Sequence, residues 1–276
     1  MFNDLPNRLR RKVESYHHQF SLSYWPAERP NPRAVDVLGF RCFVYANETV
    51  GRSLALGHRF ESLETDFFRR NIRPTDVCFD VGANTGYFTT LFSALATRGS
   101  VHAFEPVPAN AHLLAASVEC NRFTWTKVNA SAVGAQCGTA TFARTLDSAY
   151  SSLRDTGRDP VMGTYEVEIT TIDAYAAREM LPRIDVIKVD VEGAEGDVAL
   201  GAKAILSDPA RRPRLVMLEL VEQNQAAFGQ SAVSVVQFMA SVGYAAHRLA
   251  PDCQLTPATA ADVARCANFF FVPVGA

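Results

Sequence analysis

The stretch that most constrains the fold is Val77-Cys78-Phe79-Asp80-Val81-Gly82-Ala83-Asn84-Thr85-Gly86-Tyr87-Phe88. A run rich in Val and Phe ends in an acid, passes two glycines, and gives way to Tyr87, Phe88, Leu91, Phe92 and Leu95 at helical spacing. The pattern predicts a buried strand, a tight loop and a helix start in succession. Glycine lets backbone come close to a ligand, and the first N–H groups of the following helix are available as donors. The spacing is Asp-x-Gly-x-x-x-Gly, not the Gly-x-Gly-x-x-Gly of dinucleotide sites, so the loop by itself identifies no ligand.

Its context narrows the choice. Val101-His102-Ala103-Phe104-Glu105-Pro106 reads as a second strand ending in an acid, with Glu105 19 residues beyond Gly86. That offset is close to the one at which an acid after the second strand of a nucleotide-binding βαβ unit reaches ribose hydroxyls. Pro108 to Asn121 reads as a helix and Trp125 to Asn129 as a third strand, which puts Asn129 and Ser131 at a strand end. Adenine-edge contact and plain turn chemistry are equally good readings of those two residues.

A second informative run is Ile184-Asp185-Val186-Ile187-Lys188-Val189-Asp190-Val191-Glu192-Gly193-Ala194-Glu195. On a strand, Lys188, Asp190 and Glu192 share one side, and a lysine in so apolar a run needs a charged partner. Asp190 and Glu192 are the nearest, at the strand end where a ligand of an open α/β sheet belongs. Gly193 turns the chain into a helix that Glu195 complements at its N-terminus. Leu215 to Leu220 is a further buried strand, with Glu219 near its end as a substrate contact or an edge residue satisfied by water.

Around these runs, Phe40–Tyr45 and Thr49–Leu54 read as a hairpin, and Phe60 to Phe68 as a helix with Glu61 and Glu64 near its start. Gly138–Ala143 and Tyr165–Thr170 read as exposed or edge strands flanking a polar loop, Leu146 to Gly163, with the composition of a lid or substrate loop or, equally, of a disordered connection. Helices are expected over Thr171–Met180, Val233–Val242 and Thr256–Ala264, and closing strands over Tyr244–Leu249 and Asn268–Val272.

The chain has 276 residues and a formal charge of -2, which supplies no basic field for nucleic acid. Six scattered cysteines without a C-x-x-C pair, and no apolar run of membrane length, lead to the expectation of a cytoplasmic protein with reduced thiols. Leu5, Leu9, Val13 and Tyr16 recur at helical spacing, and three prolines between Pro26 and Pro32 read as a linker. Residues 1–39 are therefore expected as an N-terminal extension and 40–276 as one α/β domain. The N-terminal helix is compatible with docking on the domain or with a homodimer.

Taken together, Asp80-Val81-Gly82-Ala83-Asn84-Thr85-Gly86, Phe104-Glu105-Pro106 and Ile187 to Glu195 resemble the FkbM-type methyltransferases, a branch of the class I S-adenosylmethionine-dependent enzymes. The resemblance covers roughly residues 40 to 249. It implies a Rossmann-like, mostly parallel seven-stranded sheet whose last strand is antiparallel, with helices on both faces. It also implies S-adenosylmethionine as cofactor and methyl transfer to a hydroxyl on a sugar or polyketide-type natural product, a small-molecule acceptor. By position, Gly82, Asn84 and Gly86 shape the loop beside the methionine part, Asp80 organises its ammonium, Glu105 holds the ribose diol, and Asn129 is a candidate on the adenine side. Asp190, with Lys188 and Glu192, is the candidate catalytic group, and Glu219 and Glu61 are candidates for contacting the acceptor. The readings set against it are an NAD-dependent oxidoreductase, which would also want a glycine loop and Glu105, and a binding protein that kept the fold without activity.

Overall fold

The computed structural model describes residues 32–263 and 267–275. The helix expected over Leu5–Tyr16, and the proline linker apart from Pro32, lie outside the described residues.

The first departure from the sequence reading comes at once. Arg33–Val37 (β1) pairs antiparallel with Phe40–Val44 (β2) through a turn whose central residues, Leu38 and Gly39, have φ of 54° and 86°. Two consecutive positive φ values give the twist a two-residue hairpin needs. Thr49–Ala55, expected as the second hairpin strand, is instead an α-helix (α1). Val50 and Leu54, one helical turn apart, are buried, and Thr49 anchors the helix start by donating from its N–H and hydroxyl to Asp147, each at 2.7 Å.

Ser62–Asn71 (α2) follows, then Val77–Val81 (β3), Tyr87–Leu95 (α3), Ser100–Phe104 (β4), Pro108–Cys120 (α4), Thr126–Asn129 (β5), Ala132–Val133 (β6), Gly138–Thr145 (β7) and Val161–Thr170 (β8). After these come Ile172–Arg178 (α5), Val186–Val189 (β9), Glu195–Leu200 (α6), Lys203–Ser207 (α7), Leu215–Glu219 (β10), Glu222–Ala227 (α8) and Ala232–Ser241 (α9). Tyr244–Leu249 (β11), Leu255–Pro257 (β12), Ala260–Val263 (α10) and Asn268–Pro273 (β13) close the chain.

The main sheet has eight strands in the order β12-β11-β13-β10-β9-β3-β4-β5. From β10 to β5 all neighbours are parallel, and β13 enters antiparallel between β10 and β11. Seven strands match the expected sheet; the eighth is the three-residue β12, which overlaps the start of the helix expected over Thr256–Ala264, while Ala260–Val263 of that stretch is helical. β6, β8 and β7 form a separate three-stranded sheet, so the two expected edge strands pair with each other rather than with the main sheet.

Alternation along the strands feeds two cores, one on each face. Phe79, Val81, Phe104, Val189, Phe269 and Phe271 pack on one side with Ile172 and Tyr175 of α5. Cys78, Val101, Met217 and Phe270 face the other, against Phe67 and Phe68 of α2 and Phe88 and Phe92 of α3. This is the period of two that a sheet covered on both faces requires. Among the described residues no helix is long and apolar enough to cross a membrane.

The order also places the site. From β3 the chain goes to β4 on one side and later to β9 on the other, so the winding reverses at β3. Ligands of open α/β sheets bind outside the carboxyl ends of strands at such a reversal.

Candidate active site

A cavity lies at this position, enclosing about 1200 Å³ of space with its open mouth included. Its floor is built from the ends of β3, β4, β9 and β10. Asp80, Gly82, Asn84 and Glu105 line one end, and Glu61, Lys188, Asp190, Glu192 and Glu219 also border it.

At the glycine loop, Gly82 and Ala83 both donate their N–H to the Phe104 carbonyl at 3.0 Å, so the loop is tied to β4. Gly86 opens α3 at a φ of 95°, and a Cβ there would come within 2.3 Å of Leu114 Cδ1. Gly86 therefore shapes the loop by close packing without lining the cavity. Asp80 is fully buried; Thr89 donates to its Oδ2 at 2.5 Å, while Oδ1 has no partner. Burial pushes the Asp80 carboxyl up, and Lys188 and Thr89 oppose that push.

Glu105 is buried at the end of β4. Its Oε2 accepts from the Asn84 N–H at 2.7 Å and its Oε1 from the Val107 N–H at 2.9 Å. Burial pushes its carboxyl up to about 7 despite those donors. Asn129 departs from its expected role. It is not among the cavity-lining residues, because its amide donates to the Ala103 carbonyl at 3.0 Å and the Tyr175 hydroxyl at 3.2 Å inside the fold. Ser131, two residues on, lines the cavity instead.

The charged end follows from strand register. Lys188 stands opposite Asp80 on β3 and Met217 on β10, and it is 2% exposed. Its Nζ lies 3.2 Å from Asp190 Oδ2 and 4.9 Å from the centre of the Phe88 ring. Burial alone would lower the ammonium's pKa, but Asp190, Asp80 and Glu61 together raise it, so Lys188 stays charged. Burial pushes Asp190 up as well, and the Lys188 charge with a hydrogen bond from Glu219 brings it below the usual carboxylate range.

Glu192 does not share the strand alternation of Lys188. β9 ends at Val189, and Glu192 sits in a turn at a φ of 56°. It reaches the same cavity wall because Arg158 and the Asn224 amide hold its Oε2, each at 2.5 Å. Burial and the Asp190 charge push Glu192 up to about 7 against the opposing pull of Arg158. Glu195 faces inward, accepting from the N–H groups of Val191 and Gly193 at 3.0 Å each and pinning the turn. Glu61 precedes α2 in a left-handed conformation, φ 39° and ψ 62°, and its Oε2 has no partner. Burial is the main cause that pushes Glu61 up to about 7.

The polar loop after β7 roofs the cavity. Ser148, Ser151 and Ser152 are buried, and Ser152 donates to the Val191 and Glu192 carbonyls at 3.1 and 2.9 Å. Ser148 donates to the Glu48 carboxylate and accepts from the Asn110 amide at 3.1 Å, fastening the loop to the start of α1 and to α4. Arg158, on the same loop, stacks on Tyr150 with its guanidinium carbon 4.6 Å from the ring centre. The composition of the loop Leu146 to Gly163 points to the segment that carries Tyr150 and Arg158, but nothing in the sequence singles out either residue or Asn224, because a lone residue in a loop or short helix has no periodicity to mark it.

Comparison with known proteins gives the family. Residues 80–246 match the family described as the methyltransferase FkbM domain. A curated relative, the 31-O-demethyl-FK506 methyltransferase FkbM of Streptomyces tacrolimicus, is 29% identical over 166 residues, which is 48% of this chain and 61% of the relative. The chain thus spans under two thirds of that relative's length. Among solved structures, an O-methyltransferase from Bacillus cereus in complex with SAH is similar at a TM-score of 0.44 and 12% identity, covering 95% of this chain and 99% of that one. The precorrin-6y C5,15-methyltransferase of Geobacter metallireducens is similar at 0.42 and 10%, covering 77% and 88%. The family match does not favour the NAD-dependent oxidoreductase reading.

Proposed function

The chain belongs to the FkbM methyltransferase family, and from that premise we propose that it transfers a methyl group from S-adenosylmethionine to a hydroxyl on a sugar or polyketide-type natural product. S-adenosylmethionine, when bound, supplies a methyl group already activated on a positively charged sulfur.

The residues present fit that cofactor. Asp80 Oδ1, buried without a partner beside the cavity, is an acceptor suited to an ammonium. Glu105 accepts the Asn84 and Val107 N–H groups and is further held by the Asn110 side chain, and a carboxylate offers about four lone-pair sites, so capacity remains for a ribose hydroxyl. Gly82 and Asn84 border the same end.

The observation that carries the reading is Asp190, an ionised carboxylate with its side chain 24% exposed toward the cavity and its other side against Lys188. A hydroxyl is a weak nucleophile until its proton is accepted, and Asp190 is the group to accept it as the new C–O bond forms. Its lowered pKa suits orienting the hydroxyl more than removing the proton early. Positioning of this kind contributes on the order of 7 to 11 kcal/mol in favourable cases. Glu61 and Glu192 are the further carboxylates for the acceptor's other hydroxyls. The name of the Streptomyces relative, which specifies a methyl group on oxygen, supports the choice of acceptor atom.

The test is a small-molecule extract supplied with isotopically labelled donor and followed by mass spectrometry. Wild type should form a product carrying the label as a methyl ether. Asp190→Ala should bind S-adenosylhomocysteine within a few-fold of wild type and lose most of that product. Label on nitrogen or carbon, or undiminished product from Asp190→Ala, would refute the proposal.

A further inference from the structure

We propose that Glu219 works as a neutral acid, keeping its proton and donating it to Asp190, so that Asp190 is the ionised member of this pair presented to the acceptor. The purpose assigned to this arrangement rests on the methyltransferase reading; the arrangement itself does not.

The geometry comes from register. β9 and β10 run parallel, with Lys188 opposite Met217 and Val189 opposite Leu218. Asp190 follows immediately after the end of β9 and Glu219 is the last residue of β10, and both line the same cavity. Carboxylate oxygens of Asp190, Glu192 and Glu219 all lie within 4.8 Å of one another. Carboxylates that close do not all ionise at neutral pH unless cations compensate each of them.

The cations present decide which group keeps the proton. Lys188 is on Asp190 at 3.2 Å, and Arg158 is on Glu192 at 2.5 Å. Among the described residues no lysine or arginine pairs with Glu219. The groups facing it are acidic: Asp190 beside it, Glu192 on the turn and Glu61 before α2. Glu64 of α2 is nearby too, accepting from Asn268, which pairs with Glu219 across β13. The Asp190 charge first, and burial second, push Glu219 up to about 10, while the bond from Glu219 helps keep Asp190 low.

Glu219 was expected to touch the acceptor directly. In this arrangement it acts through Asp190 and is a positioning residue. One proton on the pair leaves a single negative charge, matched by Lys188, and the bond from Glu219 orients the Asp190 carboxylate.

Infrared spectroscopy of the full chain at about pH 8.5, with and without ¹³C-labelled glutamate, reads the proton directly. Glutamates pushed up only to about 7 are largely ionised there. Wild type should show a protonated carboxyl band that shifts with the glutamate label. The band should be absent from Glu219→Gln, which retains shape and a donor. It should also vanish in Asp190→Asn, which removes the charge that holds the proton. No glutamate carboxyl band in wild type, a band surviving Glu219→Gln, or one unchanged in Asp190→Asn would each overturn the proposal. Calorimetry with S-adenosylhomocysteine on the same samples separates the two readings. Failure to bind would count against the methyltransferase, and the infrared result would still decide the state of Glu219.

Discussion

Replacing Gly82 by alanine tests whether the cofactor loop and the end of β9 form one rigid unit. Gly82 has a φ of 80°, and a Cβ there would sit 1.7 Å from the Asp190 carbonyl oxygen and 2.7 Å from its carbon. Neither side can yield freely. The Gly82 and Ala83 N–H groups hold the loop to Phe104, and the Asp190 N–H donates to the Val81 carbonyl at 3.0 Å. Left-handed backbone at a residue with a side chain costs about 1 to 3 kcal/mol. The collision adds to this, because one backbone segment must move by more than about 1 Å, so a total near 3 kcal/mol or more is expected. For a chain of this size that is roughly a 6 to 12 °C fall in Tm. The same shift displaces Asp80 relative to Asp190, and misplacement on that scale costs on the order of 100-fold in turnover. Scanning calorimetry and the rate of labelled product formation measure both effects. Gly57→Ala is the control, since Gly57 has a φ of 77° and a Cβ added there would meet nothing within 4 Å, leaving backbone strain alone. A Gly82→Ala protein that melts with the control and turns over within about threefold of wild type would refute the reasoning, which adds a backbone collision to the strain that both variants share.

Glu105→Gln keeps shape but replaces one carboxylate oxygen with an N–H that faces a backbone N–H, so S-adenosylhomocysteine affinity should fall about 10- to 100-fold, the range of a charged hydrogen bond; unaltered affinity in calorimetry would remove Glu105 from the ribose site. The ligand-free protein should lose stability as pH rises, because burial is the largest cause raising Glu61, Glu105 and Glu195 to about 7 from an ordinary 4.5, and the same holds for Glu192. The folded state binds these protons more tightly than the unfolded chain, so their contribution is complete below about 4.5 and lost as pH passes 7. Melting curves between pH 5.5 and 8 should show Tm declining, and a flat or rising trend would contradict the carboxylate environments described.

The site joins residues of two kinds. Asp80, the glycine loop, Glu105 and the Lys188–Asp190 pair come from strand ends, and strand ends are marked locally by an apolar run broken by an acid or glycine. Those positions were legible for that reason, and so were the parallel core strands and the helices between them. The lysine in the apolar run was equally informative, since a buried ammonium demands a partner, and Asp190 stands two residues away.

Other features depended on distant parts of the chain meeting. Whether Phe40–Val44 pairs forward or backward turned on Leu38 and Gly39 accepting positive φ, and Thr49–Ala55 became a helix because Val50 and Leu54 found a core to enter. Asn129 sits at a strand end as read, but Tyr175 and Ala103 claim its amide from beneath. Glu192 reaches the cavity through Arg158 and Asn224, separated from it by 34 and 32 residues, and no local pattern announces such partners. The sequence by itself determined the strand–loop–helix frame and the acids at its strand ends, because alternation and turn chemistry are properties of neighbouring residues. Only the tertiary structure decided which charges face one another: the register of β9 on β10 sets Glu219 beside Asp190 with Lys188 on Asp190 alone, and ionisation in a buried cluster depends on distances between strands.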